Sequence, residues 1–209
     1  MPFQGRMHVR LVQGRARDPA GLRDAVVRWN RELAPGSRGW LGTTAGLTDD
    51  GEFIWLERFK SPRAAHRNEK RRAQREWWES TSALLDGAPT VHDCTDIEPF
   101  GAGGSDSAEF VQLIQTRVRD REALRPFWTV EEGRAMAEAR PDTIGGLFIV
   151  HPDGGCTIAV YFTTEEDARE GERRPMPPDL KAWRDNEMSH YIDEPTFYDL
   201  RNPWLFSPH

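Results

Sequence analysis

The sequence is poor in cysteine and in long apolar runs, and these absences exclude several classes of protein. Its 209 residues include only Cys94 and Cys156, too few for a disulfide framework or a zinc cluster. No apolar run approaches the roughly 18 residues that a membrane helix needs, and the mean hydropathy is −0.71. The first residues lack the apolar core of a signal peptide, so we expect a cytoplasmic protein with no membrane partner.

Positive charge is also in short supply. The chain has 28 Lys and Arg against 34 Asp and Glu and a pI near 5.6, whereas a general nucleic-acid-binding protein is normally basic. We therefore expect no nucleic-acid partner. The deficit is uneven, because residues 1–104 carry a net +2 and residues 105–209 carry −8, which together give −6. Because both halves contain apolar strands, we interpret the asymmetry as two bodies that attract one another rather than as a charged tail.

The two halves repeat one another. Residues 9–23 align without a gap with residues 111–125, and eight of these fifteen positions are identical, including the segment Gln-x-Arg-x-Arg-Asp. Further matches follow in order, among them Trp78 with Trp183. An internal repeat of this kind indicates two similar structural units, which we interpret as a duplication. It predicts three segments: a first repeat at 1–100, a Gly/Ser linker at 101–107 and a second repeat at 108–209.

Each repeat is predicted to fold as β-α-β-β-α-β. Apolar residues alternate in the first strand, Asp18-Pro19 is typical of a helix start, and Thr48–Gly51 is a hairpin turn signal. This order is the ferredoxin-like α+β plan, in which helices cover one face of an antiparallel sheet. In the second repeat, Pro175–Pro178 should interrupt the second helix. The predicted elements of the first repeat are strands at 7–15, 40–47, 52–60 and 89–97, and helices from Asp18 to Leu33 and from Ser61 to Leu85.

Two such units in one chain resemble a fused version of the dimeric α/β barrel superfamily, to which antibiotic-biosynthesis monooxygenase-type proteins belong. The resemblance rests on the order of elements, the duplicated Gln-x-Arg-x-Arg-Asp segment and the tryptophan-bearing second helix, and it covers nearly the whole chain. It implies two antiparallel sheets that pack into a barrel-like pseudo-dimer within one chain. It also implies a ligand pocket between sheet and helices. Whether the chain associates further with itself stays open.

The resemblance and the repeat together select candidate pocket residues. Trp55 and Trp77 do not recur in the second repeat, so they are candidates for the wall of a pocket that binds a small molecule; ordinary core packing is the alternative. His66, near the start of the second helix, is the candidate general base or polar anchor. His190, near the end of the corresponding helix in the second repeat, is a further pocket candidate. For both histidines, a half-exposed helix position without a function is the alternative.

Four repeated polar residues form a second candidate group. Period-two alternation places Gln13 and Arg15 on one face of the first strand, and Gln115 and Arg117 on the same face of its counterpart. If that face lines the barrel interior, these side chains could bind an anionic ligand, since arginine suits carboxylates. The alternative is that they pair with acidic residues such as Glu57 across the two halves.

Three functions are compatible with the sequence. The first is a cofactor-independent monooxygenase-like enzyme acting on an aromatic or polyketide-like small molecule, as the resemblance implies. The second is a non-catalytic protein that binds a small molecule or a partner, because the chain shows no local metal-ligand or acid–base motif. The third is a haem enzyme, since some relatives with tandem units bind haem. No cofactor or metal is otherwise expected.

Overall fold

The computed structural model describes residues 7–120, 122–127 and 130–208. These residues form two compact units. Unit 1 consists of Met1–Ile97 together with Asn202–His209, and unit 2 consists of Glu98–Arg201.

Unit 1 contains a five-stranded antiparallel sheet with strand order β10-β2-β3-β1-β4. Its edge strand β10 comes from the C-terminal end of the chain. The elements are β1 (His8–Arg15), α1 (Pro19–Glu32), β2 (Trp40–Leu47), β3 (Glu52–Phe59), α2 (Pro62–Glu69), α3 (Arg72–Ser82), β4 (Thr90–Cys94) and β10 (Trp204–Phe206), with a 3₁₀ turn at Ala34–Gly36.

Unit 2 has the same arrangement, with strand order β5-β7-β8-β6-β9. Both units are therefore ferredoxin-like and the fold is α+β, as predicted. The common origin of the units by duplication stays a prediction. The elements are β5 (Asp96–Gly101), β6 (Phe110–Arg117), α4 (Val130–Ala139), β7 (Thr143–Val150), β8 (Gly155–Phe162), α5 (Glu165–Arg173), α6 (Pro178–Met188) and β9 (Thr196–Leu200), with a 3₁₀ turn at Glu122–Phe127.

Local sequence signals account for most of these boundaries. Asp18 caps α1 by accepting a hydrogen bond from the backbone N–H of Gly21 at 2.9 Å, and Pro19 occupies the first turn, where a missing N–H costs nothing. The hairpin between β2 and β3 turns at Gly51, whose φ of 87° lies in the left-handed region that favours glycine. Pro175–Pro178 separates α5 from α6, as predicted.

The long second helix predicted for unit 1 is instead two helices, α2 and α3. The break falls at Lys70–Arg71, where Arg71 has an extended backbone (φ −65°, ψ 131°). Its guanidinium donates to the Leu33 carbonyl and to Asn68 Oδ1, both at 2.9 Å, which ties the break to the end of α1. The predicted last strand at 89–97 is likewise two strands, β4 and β5, and β5 joins the sheet of unit 2.

The core of unit 1 lies between the sheet and the helices and is dominated by tryptophan. Trp29, Trp40, Trp55 and Trp77 are at most 7% exposed and belong to one buried cluster. Their rings meet mainly edge to face or tilted, with Trp29 5.3 Å from Trp40 and 5.4 Å from Trp55 between centroids. Among the helices of the described ranges, none has both the length and the apolar character required to cross a bilayer.

Candidate functional site

A cavity of about 530 Å³ lies in unit 1 between the sheet and helices α2 and α3. This volume falls within the range of small-molecule binding pockets, roughly 300–1,000 Å³. One part of its wall is apolar and largely indole, and we call Trp55, Trp77 and Trp78 the indole wall. The remaining apolar lining residues are Val12, Phe59, Ala65 and Val91, and the polar ones are Arg10, Glu57, His66, Asn68, Glu69, Lys70, Gln74, Arg75 and Asp93.

Three ionisable side chains lie in a row across the sheet at one end of the cavity. Arg10 on β1 is paired in register with Glu57 on β3 and with Asp93 on β4. Directly paired residues point to the same face of a sheet, so the three side chains project together toward the helices. Glu69, the last residue of α2, completes the group. We call Arg10, Glu57, Glu69 and Asp93 the polar end.

Arg10 holds two carboxylates of the polar end. Its Nε and Nη2 donate to the two oxygens of Asp93 at 2.9 and 2.8 Å, and Nη2 also lies 2.6 Å from Glu69 Oε1. Burial opposes the charge of the guanidinium, but the hydrogen bonds and attraction of Asp93 and Glu69 outweigh it and raise the pKa of Arg10. The contact with Glu69 connects α2 to β1, and the contact with Asp93 connects β1 to β4.

Asp93 is shared between two basic side chains. His8 Nε2 lies 3.0 Å from Asp93 Oδ1, the oxygen that also accepts from Arg10 Nε. Burial favours the neutral acid, but hydrogen bonds from His8 and Arg10, together with their charge, bring the pKa of Asp93 well below its usual range. Asp93 is therefore a carboxylate at all pH values near neutrality.

Glu57 is the exceptional member of the polar end. It is 3% exposed, and its Oε1 has no hydrogen-bond partner among the described residues. Burial raises the pKa of Glu57 from 4.5 to about 8; Arg10 and a hydrogen bond from the Trp55 side chain lower it, whereas Glu69 and Asp93 raise it further. Near neutral pH the carboxyl is mostly protonated, and it can exchange a proton with a ligand in the cavity.

The indole wall is built by β3 and α3. Trp55 and Trp77 are 2% and 5% exposed, and their ring centroids are 4.9 Å apart. The Trp77 indole N–H donates to the Ala25 carbonyl at 2.9 Å, which fixes the ring against α1. Trp78 lies beside Trp77 at 6.2 Å and is partly buried. The structure thus brings the predicted residues Trp55 and Trp77 together on one cavity wall.

His66 lies on the same cavity but at its rim. Its side chain is 63% exposed, and Nδ1 is 3.7 Å from Glu69 Oε2. His190 lies in unit 2, in the turn after α6, where its backbone carbonyl accepts a hydrogen bond from Arg119 N–H at 2.9 Å. It does not line the cavity of unit 1. The structure therefore groups His66 with the two tryptophans and leaves His190 apart from them.

The four repeated polar residues point away from the helices of their units. In unit 1, Gln13 pairs in register with Ile54 and Arg15 pairs with Glu52. Glu57, the example of an acidic partner drawn from the sequence, projects from the opposite face of its sheet; pairing of the four residues with acidic residues across the halves stays a prediction. In unit 2, Gln115 Nε2 donates to Thr157 Oγ1 at 3.2 Å, and Arg117 donates to the Asp153 carbonyl at 2.8 Å.

Unit 2 lacks the counterpart of Glu57. By sheet register, the positions of Glu57 and Arg10 correspond to Val160 and Gln112 in unit 2. Gln112 Nε2 donates to Asp199 Oδ1 at 2.9 Å, as Arg10 does to Asp93. Unit 2 therefore keeps the side-chain hydrogen bond between β6 and β9. At the position of Glu57, however, it has Val160, which carries no titratable group.

The space corresponding to the cavity mouth is also filled differently in unit 2. Arg169, which occupies the position of His66, hydrogen-bonds to Asp199 and lies 5.2 Å from the centroid of the Phe110 ring. Phe110 itself replaces His8. The polar end is thus a feature of unit 1 and not of the fold.

Sequence reasoning missed Glu57 as a site residue, although a signal for it was present. Alternation along β3 places Phe53, Trp55, Glu57 and Phe59 on one face, so Glu57 is a lone carboxyl within an aromatic stripe. A buried carboxyl with a strongly raised pKa in a cleft is a candidate functional group. Without the register between strands, however, the sequence could not tell whether Arg10 or Arg15 lies beside it.

The fold and cavity define a two-unit α+β protein in which one unit holds a tryptophan-lined site. No protein-family model matches the sequence, and no curated protein matches it. Solved structures do share the fold. A protein from Fusobacterium nucleatum, provisionally named a monooxygenase, superposes with a TM-score of 0.73 and 8% identity over 98% of this chain and 95% of its own.

Two further structures lead to the same group of proteins. An anthrone oxidase-like protein gives a TM-score of 0.68 at 9% identity over 99% of this chain and 95% of its own. A ferredoxin-fold protein from Listeria monocytogenes, described as related to antibiotic biosynthesis monooxygenases, gives 0.51 at 10% identity over 99% and 97%. The chain therefore has a monooxygenase-like ferredoxin fold, and the resemblance stated from the sequence is confirmed at that level. At these identities the likeness shows the fold alone.

Proposed function

We propose that the protein is a cofactor-independent, monooxygenase-like enzyme that acts on an aromatic or polyketide-like small molecule in the cavity of unit 1. The observation that supports this most is Glu57, a buried carboxyl with a pKa of about 8 and one oxygen that has no partner in the part of the chain that the structure describes, facing a cavity walled by tryptophan. A general base works best when its pKa lies near the operating pH. Glu57 meets this requirement, and we assign it the role of proton acceptor.

The indole wall supplies the binding energy for a flat substrate. Trp55, Trp77 and Trp78 present extended apolar surface, and aromatic rings pack well against indoles in offset or tilted arrangements. A substrate ring bound there would exclude water from Glu57, which is itself already buried. The loss of water strengthens the electrostatic interactions of the carboxyl with the reacting atom.

The proposed reaction starts with proton transfer and needs no external reductant. Glu57 removes a proton from an activated ring CH₂ group, and the resulting carbanion, delocalised over the aromatic system, gives its electrons to O₂. The carbon–oxygen bond forms as a hydroperoxide, which then loses water to leave a ketone. One oxygen atom enters the product and the other leaves as water with both hydrogens of the CH₂ group, so all four electrons come from the substrate.

Oxygen uptake tests the proposal directly. Purified protein and a panel of anthrones and hydroquinones should consume O₂, one molecule for each anthrone converted, without added metal, flavin or haemin. Oxygen electrode traces combined with product analysis measure both quantities. Binding of the same compounds without oxygen uptake would contradict the enzyme and would support the non-catalytic alternative.

Replacement of His66 by alanine tests the base predicted from the sequence. Because the side chain is 63% exposed at the rim, we expect oxygen uptake to fall by less than about tenfold, whereas loss of a general base costs about 10² or more. Steady-state rates of the wild type and His66→Ala at equal pH provide the comparison. A loss of 10² or more would transfer the role of base from Glu57 to His66.

A further inference from the structure

We propose that this cavity binds an uncharged hydroxylated aromatic ligand and rejects aromatic carboxylates, and that Glu69 is the residue that sets this discrimination. The inference rests on the proposed function for the location of the ligand, and it names the class of ligand. It depends on the balance of charge around Arg10.

The polar end carries more negative than positive groups. Arg10 is the cation of this group, and Asp93 and Glu69 lie 2.8 and 2.6 Å from its Nη2, while His8 contacts Asp93 as well. Glu57 is a third carboxyl of this group; burial is the main cause of its raised pKa, and the negative charges of Glu69 and Asp93 raise it further. A carboxylate ligand would bring a further negative charge beside these groups, and like charges repel.

Cationic residues of the rim do not reverse this balance. His66, Lys70 and Arg75 line the outer part of the cavity, and all three are exposed. His66 lies against Glu69, and Arg75 donates to the Lys70 carbonyl at 2.7 Å. Exposed charges are screened by solvent and salt, so they have little influence on a ligand bound against the indole wall.

A neutral hydroxyl satisfies Glu57 in either of its protonation states. When Glu57 is ionised, Oε1 can accept a hydrogen bond from the ligand O–H, and when Glu57 is protonated it can donate to the ligand oxygen. The oxygen has no partner among the described residues, and leaving a buried polar atom unpaired is unfavourable. A hydroxylated ring that also packs on Trp55 and Trp77 would remove this cost.

Glu69 occupies a position that local helix energetics disfavour. It is the last residue of α2, and a carboxylate at the C-terminal end of a helix is opposed by the helix dipole. Its contact with Arg10 compensates for this, and at the same time occupies the cation that lies at the polar end of the cavity. Without the charge of Glu69, Arg10 would face Asp93 alone and would attract anions.

Tryptophan fluorescence quenching can test this discrimination with two unreactive ligands. The pair is 1,8-dihydroxyanthraquinone and the same molecule with a 3-carboxylate, titrated at pH 6.5 into the wild type, Glu69→Gln and Glu76→Gln. In the wild type we expect the carboxylate to bind at least about tenfold more weakly. In Glu69→Gln the difference should shrink to within about threefold, mainly because the carboxylate binds more tightly. Glu76, whose Oε1 pairs with Arg72 at 2.6 Å on α3 outside the cavity, is the matched control and should behave like the wild type.

This experiment tests the ligand class independently of the proposed reaction, because neither anthraquinone can be oxidised by the proposed mechanism. Equal or tighter binding of the carboxylate to the wild type would overturn the proposal, as would an unchanged ratio in Glu69→Gln. Absence of quenching by both ligands would overturn the assignment of ligand class. Discrimination as expected, without oxygen uptake from anthrones, would support the ligand class and contradict the enzyme.

Discussion

Glu57→Gln is expected to lower kcat/KM for anthrone oxidation by about 10² or more, the usual contribution of a general base. Glutamine keeps the shape of the side chain and its hydrogen-bonding capacity, but it cannot accept the substrate proton. In the wild type, kcat/KM should rise with pH and level off above about 8, since the base is active only after Glu57 loses its proton. The residual rate of the variant should show no such rise.

Initial rates of oxygen uptake between pH 5.5 and 9.5 measure both effects. Anthrones also oxidise slowly in alkaline solution, so the rate without protein is subtracted at each pH. Glu76→Gln is the matched control, because it removes the same charge from an exposed ion pair on α3. A Glu57→Gln variant with the wild-type rate, or with the wild-type rise through pH 8, would remove Glu57 from the mechanism.

The strands and helices that form the central part of each unit follow from local sequence signals. The alternation in β1, the cap and proline at Asp18-Pro19 and the Gly51 turn act over a few residues, so the sequence shows them directly. The edge strands β5 and β10 are different. β10 spans only Trp204–Phe206, and its pairing partner is β2, more than 150 residues earlier in the chain. Nothing local marks so short a segment as a strand.

The break between α2 and α3 is another feature that no local sequence signal marks. The sequence at Lys70–Arg71 contains neither proline nor glycine, the residues that usually end helices. The helix ends there because the Arg71 guanidinium reaches the Leu33 carbonyl at the end of α1, a contact that only the tertiary structure provides. This break places Glu69 at a helix end, within reach of Arg10.

Comparison of the two repeats made part of the site predictable from the sequence. Trp55 and Trp77 were selected because they are absent from the second repeat, and the structure places both on the cavity of unit 1. The same comparison, applied to charged residues, would have selected Glu57, whose counterpart is Val160. What the sequence could not provide is the row formed by Glu57, Arg10 and Asp93, because it depends on the register of three strands that are distant in the chain.

The difference between the units separates structural from functional roles. Unit 2 builds the same sheet order with Val160, Gln112 and Arg169 where unit 1 has Glu57, Arg10 and His66. The fold therefore does not require a buried carboxyl in β3. A residue that the fold does not need, and that is costly to bury, is best explained by what it does in the cavity.

The cost of burying the Glu57 carboxyl leads to a prediction about folding stability that does not depend on any reaction. Unfolding Glu57 exposes it to water, where its pKa is 4.5, whereas in the folded protein the pKa is about 8. Below pH 4.5 both states are protonated and the difference costs nothing. As the pH rises from 4.5 to 8 the unfolded state loses its proton first, so the folded state loses up to roughly 5 kcal/mol of stability by pH 9. Glu57→Gln lacks this loss, so its stability relative to the wild type should increase by a similar amount between pH 4 and pH 9.

Urea unfolding followed by tryptophan fluorescence measures this change in the relevant unit, because six of the eight tryptophans belong to unit 1. The quantity to compare is the free energy of unfolding of the variant minus that of the wild type, at pH 4 and at pH 9. Glu76→Gln removes a carboxyl from an exposed ion pair on α3, and such pairs contribute little to stability, so its difference from the wild type should stay nearly constant with pH. If the Glu57→Gln difference were equally constant, Glu57 would be ionised in the folded protein at neutral pH. The cavity would then have to stabilise that charge with a donor, and the proton-accepting role of Glu57 would lose its physical basis.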